Sequence, residues 1–394
     1  MADIQEIDKT QGTHHMNPRL LLFAVSLGVL VSGFYLLPFS SGTDLQRFTF
    51  VKIADTQDGV YRSFNRAPII DDQGRVIFRA DLSNGEQGIF VGDGNMLEQI
   101  ASTTGDFKNF PRHPTMSRNG KIAFLTHLDD GNVAYFQGPS VANDLLFSGA
   151  TYEELGDIAI NNFGTLAFKA KPSEGNDWRR RIFMGGTHRP IEVPESAHSQ
   201  LGLPSINNNG IVAFSVGDEV WTSDGHTSQM ISNSDDPYFL YSRPIINDAG
   251  VVVVQALLTD QEIGVEKRIV KLEGGNSETI VSTHGPFKEF FSHHSMNNDG
   301  VIVFSALLDW DEEGIFIGPN LQRDTIIARG DRLFGELIAK GGGPIISNQS
   351  INDAGQVTFF AQLENGTEGI FRADPTQPLV AYPMVVDQDP TMTN

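Results

Sequence analysis

A ten-residue pattern returns seven times along this chain: IIDDQGRVIF at 69–78, TMSRNGKIAF at 115–124, AINNFGTLAF at 159–168, SINNNGIVAF at 205–214, IINDAGVVVV at 245–254, SMNNDGVIVF at 295–304 and SINDAGQVTF at 350–359. The shared glycines are Gly74, Gly120, Gly164, Gly210, Gly250, Gly300 and Gly355, spaced by 46, 44, 46, 40, 50 and 55 residues. A period of that length marks a repeat architecture in which each unit is one supersecondary element, and it lies in the range of β-propeller blades. Three residues before the glycine stands Asn161, Asn207, Asn247, Asn297 or Asn352, with Asp71 and Ser117 in the other two copies. These side chains favour the first position of a type I turn, with Gly at the fourth, where it takes the left-handed conformation between two antiparallel strands.

After each glycine the chain alternates. Val76, Phe78 and Ala80 share one face, as do Leu166, Phe168 and Ala170, and Val357, Phe359 and Ala361. This is the period of a strand with one buried face. A third strand follows in GIFVGDG (88–94), RIFMGG (181–186), EVWTSDG (219–225), GIFIG (314–318) and GIFRAD (369–374), and a fourth in LEQIAS (97–102), SETIVS (277–282) and DTIIAR (324–329). Four strands per unit make a blade that cannot bury its faces alone, so the fold expected is all-β: a seven-bladed β-propeller of four-stranded antiparallel blades over residues 48–383. An open β-solenoid is the alternative. Two segments compete to complete the last blade, FVKIADT (50–56) and PLVAYP (378–383).

The repeats resemble the bacterial tandem-repeat family whose signature is NxxGxxAF, whose members carry different membrane or wall anchors around a common array. The likeness runs from about Phe48 to Asp374 and is most literal in INNFGTLAF (160–168) and INNNGIVAF (206–214); Val254 and Ser117 depart from the signature. The spacing is also similar to that of TolB-type periplasmic propellers. Neither resemblance implies an activity, because function lies in sites and not in folds.

Before the repeats, residues 1–19 form a short tail, and residues 20–39 (LLLFAVSLGVLVSGFYLLPF) are an uncharged apolar run long enough to span a bilayer. It is expected to be a transmembrane signal anchor or a cleaved signal peptide, with small residues near 33 and 42 as cleavage sites; residues 40–47 link it to the repeats, and 384–394 are a polar tail. The repeat domain is therefore placed outside the cytoplasm, or secreted if cleavage occurs. With 49 acidic against 28 basic residues the net charge is -21 and no basic patch stands out, so nucleic acid is excluded as a partner. The absence of cysteine rules out disulfides, thiolate metal sites and a catalytic thiol.

Candidate ligand-binding residues lie just before each turn. If those segments are innermost strands, Arg66, Arg112, His113, Asp157, Arg243, His293 and Asn348 form a ring at the mouth of the channel, and its arginines are suited to a carboxylate or sulfate. The bland reading is that loop entrances are polar because they are wet. His293–His294 suggests a metal or acid–base pair, but adjacent strand residues point to opposite faces, which favours an ordinary surface loop. Acidic clusters at Asp129–Asp130 and at Asp309, Asp311, Glu312 and Glu313 could hold Ca²⁺ but lack calcium-loop spacing. No other cofactor and no metal are expected. The recurring pairs Tyr61/Phe64, Phe107/Phe110, Tyr238/Tyr241 and Phe287/Phe290 suit either an exposed stacking platform or blade packing. The glycine run at 341–343 lacks the Lys-Ser/Thr of a phosphate loop, and no catalytic constellation is present. The function expected is a non-enzymatic cell-envelope propeller that binds a protein or glycan, with a carbohydrate-active hydrolase or lyase, or a structural surface protein, as alternatives.

Overall fold

The computed structural model describes residues 47–381 except 151, 174–179, 186–189, 193–200, 233–237 and 261–263. The apolar run at 20–39 lies outside them, and among the described residues no helix is long and apolar enough to cross a membrane. The repeats form seven small antiparallel sheets arranged as the blades of a propeller. Blade 5 shows the plan most fully: Tyr238–Ile246 is innermost, followed outward by Val252–Asp260, Gly264–Glu273 and Asn276–Ser282. In blade 3 the named strands are Tyr152–Ile160, Leu166–Pro172 and Arg181–Met184, with Pro190 bridging outward from Phe183.

Every motif glycine has a positive φ, between 76° and 86°. Its N–H donates to the carbonyl three residues back, for example Gly164 to Asn161 at 2.9 Å and Gly210 to Asn207 at 3.1 Å. The asparagine closes the same turn with its side chain: Asn161 Oδ1 accepts from the Thr165 N–H and Asn207 Oδ1 from the Ile211 N–H, both at 2.9 Å. The hairpin expected from turn chemistry is therefore present in each blade.

The motif phenylalanines are the packing layer between blades. Phe78, Phe124, Phe168, Phe214, Phe304 and Phe359 are almost wholly buried, and Phe168 stacks on Phe183 of the neighbouring strand at 5.5 Å. The preceding aromatic pairs belong to this layer, not to an exposed platform: Tyr61, Phe64, Phe107, Phe110, Phe287 and Phe290 are buried, and Phe107 meets Phe110, Phe124 and Phe136 edge-on. Offset and edge-to-face contacts of this kind add to the burial of large apolar area.

The N-terminal strand closes the ring. Phe48–Asp55 pairs antiparallel with Glu368–Pro375, so blade 7 takes its outermost strand from the start of the chain. Its inner edge is made of short bridges, Ile345 to Phe360 and Ile351 to Val357. The competing segment forms no strand over 378–381; Leu379 packs against Gly355 instead. Closure by pairing of the two chain ends excludes the open solenoid.

Candidate functional site

In blades 1, 2, 3, 5 and 6 the innermost strand is interrupted near its middle. In blade 5 the register shifts between Ser242 and Ile245, in blade 3 between Leu155 and Ile158, and in blade 6 between Phe290 and His294. A bulge of this kind re-aims side chains that a regular strand would direct at a neighbouring blade. The bulge carbonyls are satisfied from the adjacent blade: Arg79 donates to Phe110 O, Lys169 to Leu201 O and Gln255 to Phe291 O, at 2.6, 3.2 and 2.5 Å.

The bulges open onto a central cavity of about 410 Å³. Arg112, His113, Asp157, Arg243, His293 and Asn348 all line it. Arg66 does not: its guanidinium lies over the Phe360 ring of blade 7 at 5.1 Å, which corrects its place in the expected ring. Blade 1 contributes Asn65, Ala67 and Ile69 to the wall instead.

Arg112 faces Asp157 across the boundary of blades 2 and 3, at 3.7 Å. Arg243 Nη1 donates to His293 Nε2 at 3.1 Å, which requires an imidazole that is neutral and carries its proton on Nδ1. Desolvation, then the charge of Arg243, pushes His293 down to about 4. His113, exposed at the cavity yet ringed by protein, is also pushed down by desolvation, with Asp157 opposing and Arg79, Arg112 and Arg243 adding to the fall. Arg243 has a φ of 53°, a left-handed conformation that a side-chain-bearing residue adopts at a cost, and the same bulge that strains it aims it into the cavity. The upper wall thus carries two guanidinium groups, one carboxylate and two neutral imidazoles.

His294 is turned away from His293, as strand alternation requires, but neither lies in a surface loop. Both belong to Phe287–Met296; His294 is fully buried and bonds Val253 O at 3.2 Å, and burial holds it at about 4. Among the described residues no group of three or more His, Asp or Glu is placed to hold a metal ion. Asp130, in one of the acidic clusters, accepts from the backbone and side chain of Asn132 at 2.9 and 2.8 Å.

The far end of the cavity is built from the residue after each turn asparagine. Asn162, Asn208, Asp248, Asn298, Asp353 and Asp72 accept in sequence from a backbone N–H of the preceding blade, at 2.8–3.1 Å, and the Asp72 N–H donates to Arg118 O at 2.8 Å, which completes a ring of seven. Arg118 is the one cation at this position. The sequence signal was available, since the other six blades carry only Asn or Asp there, but turn chemistry alone accounted for the column and concealed it. Asp72 is held above the ordinary carboxylate range by burial, with a backbone hydrogen bond from Asp353 and the nearby Arg118 opposing the rise, and the Asp353 charge reinforcing it.

No family model matches the chain, and no curated protein does. Solved structures share the fold. An oligogalacturonate lyase in complex with manganese matches with a TM-score of 0.55 at 14% identity, over 84% of this chain and 97% of that one. The oligogalacturonate lyase of Vibrio parahaemolyticus matches with a TM-score of 0.53 at 13% identity, over 84% and 98%. Prolyl oligopeptidase B from Galerina marginata matches with 0.52 at 12%, over 81% of this chain and 50% of that one. At these identities the likeness is one of fold, and the fold they share with this chain is the seven-bladed β-propeller.

Proposed function

We propose that the propeller binds an acidic glycan, with a carboxylate of the ligand seated between Arg112 and Arg243 in the central cavity. The observation that carries this reading is the convergence of two arginines and two neutral histidines around a single upper-wall carboxylate, in a chain whose overall charge is -21. Guanidinium groups recognise carboxylates through paired charge-assisted hydrogen bonds, and a low-dielectric wall strengthens them. A cavity of about 410 Å³ suits a small number of sugar units. The oligogalacturonate-acting neighbours supply the first probe to try, not the assignment. The NxxGxxAF resemblance describes the repeat and adds no ligand. In the cell the site stands in an extracytoplasmic propeller tethered through residues 20–39, which protease shaving of intact cells tests: protection of the whole repeat domain removes that placement.

Calorimetric titration of the full chain in detergent with galacturonate oligomers tests the ligand. Saturable binding that disappears in the Arg112→Ala/Arg243→Ala variant supports the reading, and binding unchanged in that variant removes it. A second reading, a carbohydrate-active lyase, is favoured by one observation: His113, an imidazole that desolvation keeps neutral, lines the same cavity as Arg112 and Arg243, which pairs a base with groups that stabilise a developing carboxylate-centred charge. Appearance of an ultraviolet-absorbing unsaturated product during the same titration separates turnover from binding.

A further inference from the structure

We infer that the central cavity is a blind well that takes the end of an acidic glycan chain and not an interior stretch of it; this rests on the acidic-glycan reading above. A ligand can thread a propeller only if both ends of the axial channel are open. Here one end is spanned by a side chain. Arg118 belongs to blade 2, yet its Nη2 donates to Met296 O of blade 6 at 2.8 Å and its Nη1 to Ile351 O of blade 7 at 3.3 Å. In a ring of seven, blades 2 and 6 are three steps apart, the greatest separation the ring has, so this contact lies across the axis.

The span is fixed at both ends. Arg118 Nη1 stands 3.3 Å from Asp353 and 3.6 Å from Asp72, and only 14% of its side chain is exposed. Gln349 of blade 7 reaches the other way, donating to Met116 O of blade 2 at 2.6 Å. Around them runs the ring of side chain to backbone hydrogen bonds from blade to blade, in which Asn298 also donates to both Asp248 and Asp353, at 3.0 and 2.9 Å. Charge-assisted bonds to backbone carbonyls of two different blades are costly to break, because each would leave a buried group without its partner.

Arg118, Gln349, Asn298 and Asp248 line the same cavity as Arg112 and Arg243, and so form its floor. Among the described residues the opposite wall has no such span: His113 and Asn348 are exposed, and the Arg112 side chain is 42% exposed. A chain entering past Arg112 and Arg243 meets the floor and cannot continue. An interior stretch would have to leave by the opening it entered, doubled back beside itself. A chain terminus meets no such obstacle.

Stoichiometry measures this directly. The full chain in detergent is titrated with a galacturonate trimer, with a nonamer, and with a nonamer whose two ends are both blocked by bulky aromatic groups. The expected result is at most one propeller per glycan end, so no more than two on a nonamer, affinities for trimer and nonamer of the same order since only an end is read, and loss of binding to the end-blocked nonamer. Three or more propellers on each nonamer, or undiminished binding of the end-blocked chain, overturns the blind-well inference while leaving the acidic-glycan reading in place. Failure of all three probes to bind overturns both.

Discussion

Asn207 donates its side-chain amide to the backbone carbonyl of Asn247, the equivalent residue of the next blade, at 3.0 Å. The same bond runs from Asn161 to Asn207, from Asn297 to Asn352 and, across the closure, from Asn352 to Asp71. One amide thus does two jobs. Its oxygen closes the turn within a blade, and its nitrogen clasps the following blade. Asp71, whose side chain has no N–H to give, instead pairs with Arg75 at 2.7 Å.

Asn207→Asp separates the two jobs, because a carboxylate keeps the turn acceptor and loses the inter-blade donor. It also sets a charge against the Asn247 carbonyl in a buried position. Chemical denaturation should show a loss of about 1–3 kcal/mol, whereas Asn84→Asp at an exposed turn should leave stability nearly unchanged.

The motif glycines are not equivalent. A Cβ at Gly210 meets nothing within 4 Å, so Gly210→Ala faces only the positive φ, worth about 1–2 kcal/mol. A Cβ at Gly74 would lie 2.7 Å from Gln356 Oε1 and 3.1 Å from Arg372 Nη1, and both groups are held, the first by Asn352 and the second by Asp374. Gly74→Ala should therefore lower the thermal midpoint more than Gly210→Ala does.

His294 gives the fold a pH dependence of defined sign. Its imidazole is held at about 4 by burial, against about 6.5 in an unfolded chain. Between those values the unfolded state binds more protons, so the contribution is complete above the unfolded value and is lost as pH falls toward the folded one. The full effect is on the order of 3 kcal/mol for a shift of this size. Denaturation midpoints should fall on acidification through this window, and the fall should be shallower in His294→Asn; His293, shifted in the same direction, would retain the remainder.

Arg243 links strain to the site. Arg243→Gly and Arg243→Ala both remove the guanidinium and should weaken acidic-glycan binding equally in calorimetry. Only glycine relieves the φ of 53°, so Arg243→Gly should be the more stable of the two by about 1 kcal/mol in denaturation. Equal stabilities would show that the backbone at this bulge is unstrained.

The parts of this protein that its sequence alone determined are those governed by neighbours along the chain. Seven turns, their left-handed glycines, the alternating strand after each and the blade count all follow from contacts within a few residues, and they are legible at Asn161–Gly164 as at Asn352–Gly355. The tertiary structure decided what depends on residues far apart in sequence. Asn207 and Asn247 are separated by forty positions, so the clasp between them left no local trace beyond a preference for Asn that the turn already explained. Phe48–Asp55 and residues 378–381 carry similar apolar patterns, and only pairing along Glu368–Pro375 selected the first. Arg66 and Arg112 occupy like positions before their turns, yet a ring in blade 7 draws Arg66 aside while Asp157 keeps Arg112 at the cavity. Arg118 looked like one more turn residue until the ring closed and set Met296 opposite it. Closure brings residues from distant repeats onto one axis, and for that reason the repeat could be read from the chain while the site where the repeats converge could be only partly anticipated.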